Sequence, residues 1–210
     1  MLKNIIYSLV FLLFLSSCKD HDYVTIETEF GKMEVILLKS APLHKANFKK
    51  LANEGFYNDL LFHRVINGFM IQGGDPQSKG ASASDHLGSG GPGYTIPAEI
   101  GTPHFKGMLS AARQGDAVNP KKESSGSQFY IVHGQTVTDR DLDEMEKAKG
   151  FKYTPAQREK YKKVGGTPML DGDYTVFGEV VSGQDVIDKI ANVETDTRDR
   201  PLKDVKMKVY

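Results

Sequence analysis

Apolar and polar residues alternate from Tyr23 to Phe30, with Val24, Ile26 and Phe30 set among Tyr23, Thr25, Thr28 and Glu29. After Gly31-Lys32 the alternation resumes, Met33, Val35 and Leu37 against Glu34, Ile36 and Leu38. A period of two on both sides of a glycine predicts an antiparallel hairpin. Ser40-Ala41-Pro42 then opens a helix whose apolar face is Leu43, Ala46, Phe48, Leu51 and Ala52, and Gly55 ends it. Leu60–Val65 and Phe69–Gly73 read as strands around an Asn67-Gly68 turn. Further strands follow at Gly107–Ala112, Ser127–Val132, Tyr174–Val180 and Val205–Tyr210. Between the last two, Val186, Ile187, Ile190 and Ala191 mark a helix over Gln184–Val193. About eight strands and two core helices, not alternating as βαβ units, predict a mainly β fold. A closed antiparallel barrel with a helix over each open end fits, because closure removes exposed sheet edges.

Three stretches break the pattern. Asp75 to Pro97 is long and rich in Gly, Ser and Pro, the mark of a functional or mobile loop. Its glycines do not make a phosphate cradle, since no Lys-Ser/Thr follows them and no helix opens there. Arg113 to Ser125 is a polar loop. Gln135 to Pro168 is a charged helical hairpin. Thr138 and Asp141 form a capping box, Leu142, Met145 and Ala148 follow at helical spacing, and Gly150 stops the first helix. Thr154-Pro155 starts the second helix, which runs through Lys163 to Gly165-Gly166. We expect this hairpin to be a solvated surface decoration rather than a partner-binding element.

Charge adds little to this picture. Among 210 residues, 27 Lys and Arg balance 27 Asp and Glu, so nothing favours nucleic acid as a partner. The N-terminus adds more. Lys3 precedes an apolar run from Ile5 to Leu15, too short to span a bilayer and suited to a secretory signal over residues 1–17. Leu15-Ser16-Ser17-Cys18 resembles the lipobox of bacterial lipoproteins, which implies cleavage before Cys18 and lipid on that residue. An ordinary signal peptide that happens to hold a cysteine is the plainer alternative. A single Cys in an exported chain can form no internal disulfide and needs another explanation. Residues 18–22 would be a polar tether to a membrane, and 23–210 the folded domain. Lys19, rather than Asp, follows the cysteine, which by analogy with enteric sorting favours the outer membrane.

The chemistry centres on Phe62-His63-Arg64-Val65-Ile66-Asn67-Gly68-Phe69-Met70-Ile71-Gln72-Gly73-Gly74-Asp75. A guanidinium that cannot deprotonate sits here among large apolar residues. It needs a carboxylate, a set of carbonyls, or a functional reason. This block is similar to the signature of the cyclophilin peptidyl-prolyl isomerases. So are Gly88-Ser89-Gly90-Gly91, Gly107-Met108-Leu109-Ser110-Ala111-Ala112, Ser125-Gly126-Ser127-Gln128-Phe129-Tyr130-Ile131 and Leu170-Asp171-Gly172-x-Tyr174-Thr175-Val176-Phe177-Gly178. The blocks occur in the family's order and cover Tyr23 to Tyr210, apart from insertions at about 77–87 and 135–168.

The resemblance implies an eight-stranded barrel capped by two helices, with its active face on the outside. It implies that Arg64 is the catalytic arginine and that Gln72 and Gln128 hydrogen-bond the substrate backbone. Phe69, Met70, Tyr130 and Leu170 would line a proline pocket. Phe62, Ala112, Arg113, Phe129 and Tyr174 are further substrate-binding candidates. It implies Pro-containing polypeptides as partners, here exported ones. The expected state is a monomer without cofactor or metal, and no two of the six histidines have metal-ligand spacing. His63 is expected to make a structural hydrogen bond beside Arg64. X-Pro rotation is slow because amide resonance imposes a barrier of about 18–20 kcal/mol. A fixed donor aimed at the proline nitrogen lowers that barrier without moving a proton.

Departures from the family pattern are Asn67 for a common Pro, Tyr130 for a Phe, Ser89 for a Thr, Met169 for a Trp and Tyr174 for a His. Tyr130 adds a hydroxyl that needs a partner, and the Met169 change predicts weak cyclosporin binding. The rival class is a non-catalytic proline-peptide-binding or chaperone module on the same barrel.

Overall fold

A computed structural model describes residues 22–210; the expected signal segment and Cys18 lie outside them. The hairpin forms as β1 (Tyr23–Thr28) and β2 (Gly31–Leu37). Pro42 starts α1 (Pro42–Asn53). Then come β3 (Leu60–Ile66), β4 (Met70–Gly73), the short β5 (Thr95–Ile96), β6 (Met108–Ala111), the short β7 (Ser124–Ser125) and β8 (Phe129–Val132). Two helices follow, α2 (Asp139–Lys149) and α3 (Pro155–Val164), then β9 (Val176–Ser182), α4 (Gln184–Ala191) and β10 (Lys206–Val209).

Eight strands close in the order β1-β10-β3-β4-β8-β6-β9-β2, and β2 returns to β1. Strands β5 and β7 pair separately, so the two loops read as irregular are joined to each other. Inward residues such as Ile26, Met33, Val35, Phe62, Val65, Ile71, Phe129 and Ile131 fill the barrel. Helices α1 and α4 add Phe48, Leu51, Val186, Ile187 and Ile190 to that core. On α1, Leu43 and Ala46 face solvent and His44 takes the buried place expected of them. The His44 ring explains the exchange: its Nδ1 meets Glu99 Oε2 at 2.6 Å, and the ring stacks near Phe177.

The helical hairpin is not a solvated decoration. Val137, Leu142, Tyr153 and Tyr161 are buried in a second apolar cluster with Met70, Phe105, Met108, Tyr130, Val132 and Val176. This cluster covers the outer face of β4, β8, β6 and β9. Both helices begin with full capping boxes, at Thr138 and Thr154. Ala148 is exposed, and beside Leu142 the buried position on that helix is Glu146, bonded by Arg158 Nη1 at 3.1 Å and by the Tyr153 N–H at 3.0 Å. The ends of the excursion are clipped together, Gly166 N to Gln135 O at 3.0 Å and Gln135 N to Gly166 O at 3.2 Å. Gly166 has φ 155°, and a Cβ there would sit 2.3 Å from His104 O, so only glycine fits.

Candidate active site

The site is a row of residues across the outer face of the barrel. Directly opposed residues on neighbouring strands share a face. Arg64 on β3 pairs with Gln72 on β4, Gln72 with Tyr130 on β8, and Tyr130 with Ser110 on β6. The neighbouring row runs Phe62, Gly73, Phe129, Ala111 and points into the barrel.

Strict alternation would put Phe62 and Arg64 on one face. A bulge between them opposes two β3 residues to one on β4 and sends Arg64 outward. Phe62 and Phe129 are therefore core residues, 1% exposed each, and stack edge-on at 6.1 Å; neither lines the site. Arg64 is not buried either: its side chain is 44% exposed. Nor is it kept from carboxylates, since Nε lies 3.4 Å from Asp199 Oδ2. That exposed pair is worth roughly 0–1 kcal/mol. Among the described residues it is the only polar contact of the Arg64 side chain, so both Nη groups stay open.

Arg64 faces a cavity of about 330 Å³ whose other walls are Phe69, Met70, Leu170, Tyr130 and Tyr174. Gln72, Ala112 and Arg113 complete it, with His63, Leu87 and Gly88. Nine of the expected site residues thus meet in one place. The second guanidinium differs from the first. Arg113 donates from Nε to Asp173 O at 2.8 Å and from Nη1 to Asp116 Oδ1 at 2.6 Å, and it lies 4.5 Å above the Tyr174 ring. It is a fixed wall, while Arg64 is a free donor.

Gln128 stands behind Gln72. Gln72 Nε2 donates to Gln128 Oε1 at 3.0 Å, and Gln128 Nε2 donates to Gly90 O at 2.7 Å. Gly90 is held in turn by the fully buried Asp75, whose Oδ2 accepts from Gly88 N at 2.5 Å and Gly90 N at 3.2 Å. The glycine loop is thus a shelf for the amide pair.

The Tyr130 hydroxyl has a partner that the strand pattern does not reveal. It donates to His104 Nε2 at 3.0 Å, and His104 Nδ1 donates to Asp171 Oδ1 at 2.7 Å. The carboxylate on Nδ1 assigns this tautomer. Asp171 Oδ2 accepts from Tyr153 at 2.7 Å and Tyr161 at 2.6 Å. All five residues are buried. Burial lifts the Tyr130, Tyr153 and Tyr161 hydroxyl pKa values well above the usual range, so they stay donors. His63 does not make its expected bond: both ring nitrogens lack a partner among the described residues. Burial, opposed by Asp75, lowers its pKa to about 4.

The model of the family described as cyclophilin type peptidyl-prolyl cis-trans isomerase/CLD matches residues 23–210. The chain belongs to this family. A putative peptidyl-prolyl cis-trans isomerase of Staphylococcus saprophyticus is 37% identical over 183 residues, covering 86% of each chain. A Streptococcus pyogenes protein described as a putative bifunctional phosphatase/peptidyl-prolyl cis-trans isomerase is 38% identical over 185 residues; they make up 87% of this chain but only 37% of that longer one. A cyclophilin-type isomerase from Cryptosporidium parvum superposes with TM-score 0.64 at 26% identity, covering 90% of this chain and 95% of that one. The same parasite protein has been crystallised in the presence of the dipeptide Ala-Pro, with TM-score 0.63 at 26% identity, covering 89% and 96%. The cyclophilin barrel and the peptidyl-prolyl isomerase class expected from the sequence both hold.

Proposed function

We propose that this cyclophilin isomerises X-Pro bonds of exported polypeptides, with Arg64 as the catalytic donor and Cys18 as a lipid anchor to the cell envelope. The observation that carries the site reading is the open guanidinium of Arg64 facing Phe69, Met70 and Leu170 across one cavity. The apolar wall holds the proline ring and excludes water. Arg64 Nη donates to the proline nitrogen as it becomes pyramidal, in a setting where its field counts for more than in bulk water. Gln72 Oε1, which has no partner among the described residues, accepts from a substrate amide while Nε2 is held by Gln128. Substrate rotation then needs no nucleophile and no proton transfer.

An exchange assay on an Ala-Pro peptide tests this. Arg64→Ala should lower kcat/KM by about 100-fold or more, as for loss of a preorganised donor; unchanged activity would sink the mechanism. The anchor has its own test. Wild type should incorporate labelled lipid and fractionate with membranes, and Cys18→Ser should do neither. Lipid retained by Cys18→Ser would overturn the anchor.

A further inference from the structure

Beside the proline pocket lies a second cavity of about 380 Å³. Phe69 lines both. Pro168 and Met169 line the second, and Leu170, the next residue, lines the first. The partition is therefore one aromatic ring and one turn of chain. Val137 and Met145, from the inserted hairpin, form the opposite wall. Met169 is 53% exposed at the rim, so the cavity opens to solvent over an apolar lip.

Resting on the reading of the first cavity as a proline pocket, we infer that the second is a specificity subsite for a large apolar side chain, of the Leu, Met or Phe kind, from a residue flanking the substrate proline. The two cavities share the Phe69 ring as a common wall. An extended chain advances only about 3.3–3.6 Å per residue. A polypeptide that seats its proline against Phe69 and leaves over Met169 therefore brings a near neighbour to the mouth of the second cavity. The carboxylates on its rim do not make it a cation site. Asp141 Oδ2 already accepts from Thr138 N and Oγ1, both at 2.7 Å, and Glu144 Oε1 accepts from Arg140 Nε at 3.0 Å. The apolar lining open to a guest is Phe69, Val137, Met145, Pro168 and Met169, with Gln135 and Thr136 as its polar part. Burial of one such side chain corresponds to about tenfold or more in specificity.

The test uses the full chain and short proline peptides carrying Gly or Phe at each of the two positions on either side of the proline. Wild type should favour Phe over Gly by about tenfold in kcat/KM at one of these positions. Glu144→Trp, which fills the cavity from an exposed site, should bring that ratio close to one, and Met145→Trp should do the same from the wall. A wild-type ratio near one at every position, or a preference untouched by either tryptophan, overturns the subsite. Failure of wild type to turn over the all-Gly peptides or to bind them by titration overturns the proline-pocket reading itself, and the subsite with it.

Discussion

The Tyr161 hydroxyl donates to Asp171 Oδ2 at 2.6 Å, although Tyr161 belongs to α3 and Asp171 follows Leu170 at the wall of the Arg64 cavity. With Tyr153 and His104 it completes the set of partners that a buried carboxylate requires. Tyr161→Phe leaves that carboxylate one donor short. It should cost about 1–3 kcal/mol in urea-unfolding free energy, the range for an unsatisfied buried polar group. Tyr130→Phe removes a hydroxyl at the far end of the same chain and leaves His104 Nε2 without a donor. It should lower stability by about 1–2 kcal/mol and leave kcat/KM within threefold, because Tyr130 lines the Arg64 cavity while its hydroxyl is turned to His104. A stability cost without an activity cost would separate support from chemistry; a large activity loss would show that the hydroxyl acts on substrate.

Asp199 touches Arg64 but is not needed to hold it. The contact is 3.4 Å long, and both side chains are more than 40% exposed. Asp199→Ala should change kcat/KM by less than about fivefold, the equivalent of an exposed ion pair of at most 1 kcal/mol. Added salt should shift wild type more than the variant. A loss of 100-fold in Asp199→Ala would mean that the carboxylate orients Arg64 for catalysis.

The row Arg64–Gln72–Tyr130 was legible because each residue sits in a strongly patterned strand and in a recognisable block. Phe62 and Phe129 were assigned to the wrong face for two different reasons. Phe129 adjoins Tyr130 on a regular strand, so the pleat forbids both from facing the pocket. Phe62 fails through the bulge at His63, a feature of strand pairing that no local pattern encodes. The α2–α3 hairpin was legible as helices, from its capping boxes and glycine stops. Its burial was not legible, because Leu142, Tyr153 and Tyr161 are spaced over α2, the connection after it and α3, and meet only when these fold onto β8. His104 was missed because its role depends on Asp171, 67 residues away.

Acid should weaken the fold through His63. Burial lowers its pKa in the native state to about 4, against about 6.5 when exposed. The unfolded chain therefore takes up a proton below about pH 6.5 that the native chain refuses until about pH 4. Stability from this group is complete above pH 6.5 and falls as pH drops toward 4, by about 3 kcal/mol across the window. His44 and His133, whose pKa values burial also lowers, add in the same direction. His63→Leu replaces an unpartnered polar ring with an apolar group, so it should stay within about 1 kcal/mol of wild type at pH 7. Its loss of unfolding free energy between pH 7 and pH 4.5 should be about 2 kcal/mol smaller. Equal acid losses in the two proteins would exclude His63 as the group responsible.

Gly90 is where the glycine loop and the amide pair depend on each other. A Cβ at this position would lie 2.1 Å from Asp75 Oδ1 and 3.0 Å from Gln77 Cγ. Asp75 cannot yield easily, since it is fully buried and accepts from three backbone N–H groups, those of Gln77, Gly88 and Gly90. The loop must move instead, and with it Gly90 O, the acceptor that orients Gln128 behind Gln72. Gly90→Ala should therefore cost about 1–3 kcal/mol of stability as an overpacked site. It should also lower kcat/KM by tenfold or more, because displacement of a positioning group by about 1 Å is enough for such a loss. Gly101→Ala is the control: a Cβ there meets nothing within 4 Å, so both quantities should stay at wild-type values. If Gly90→Ala loses stability but keeps full turnover, Gln72 finds its working position without the shelf. The glycine block would then serve the fold alone.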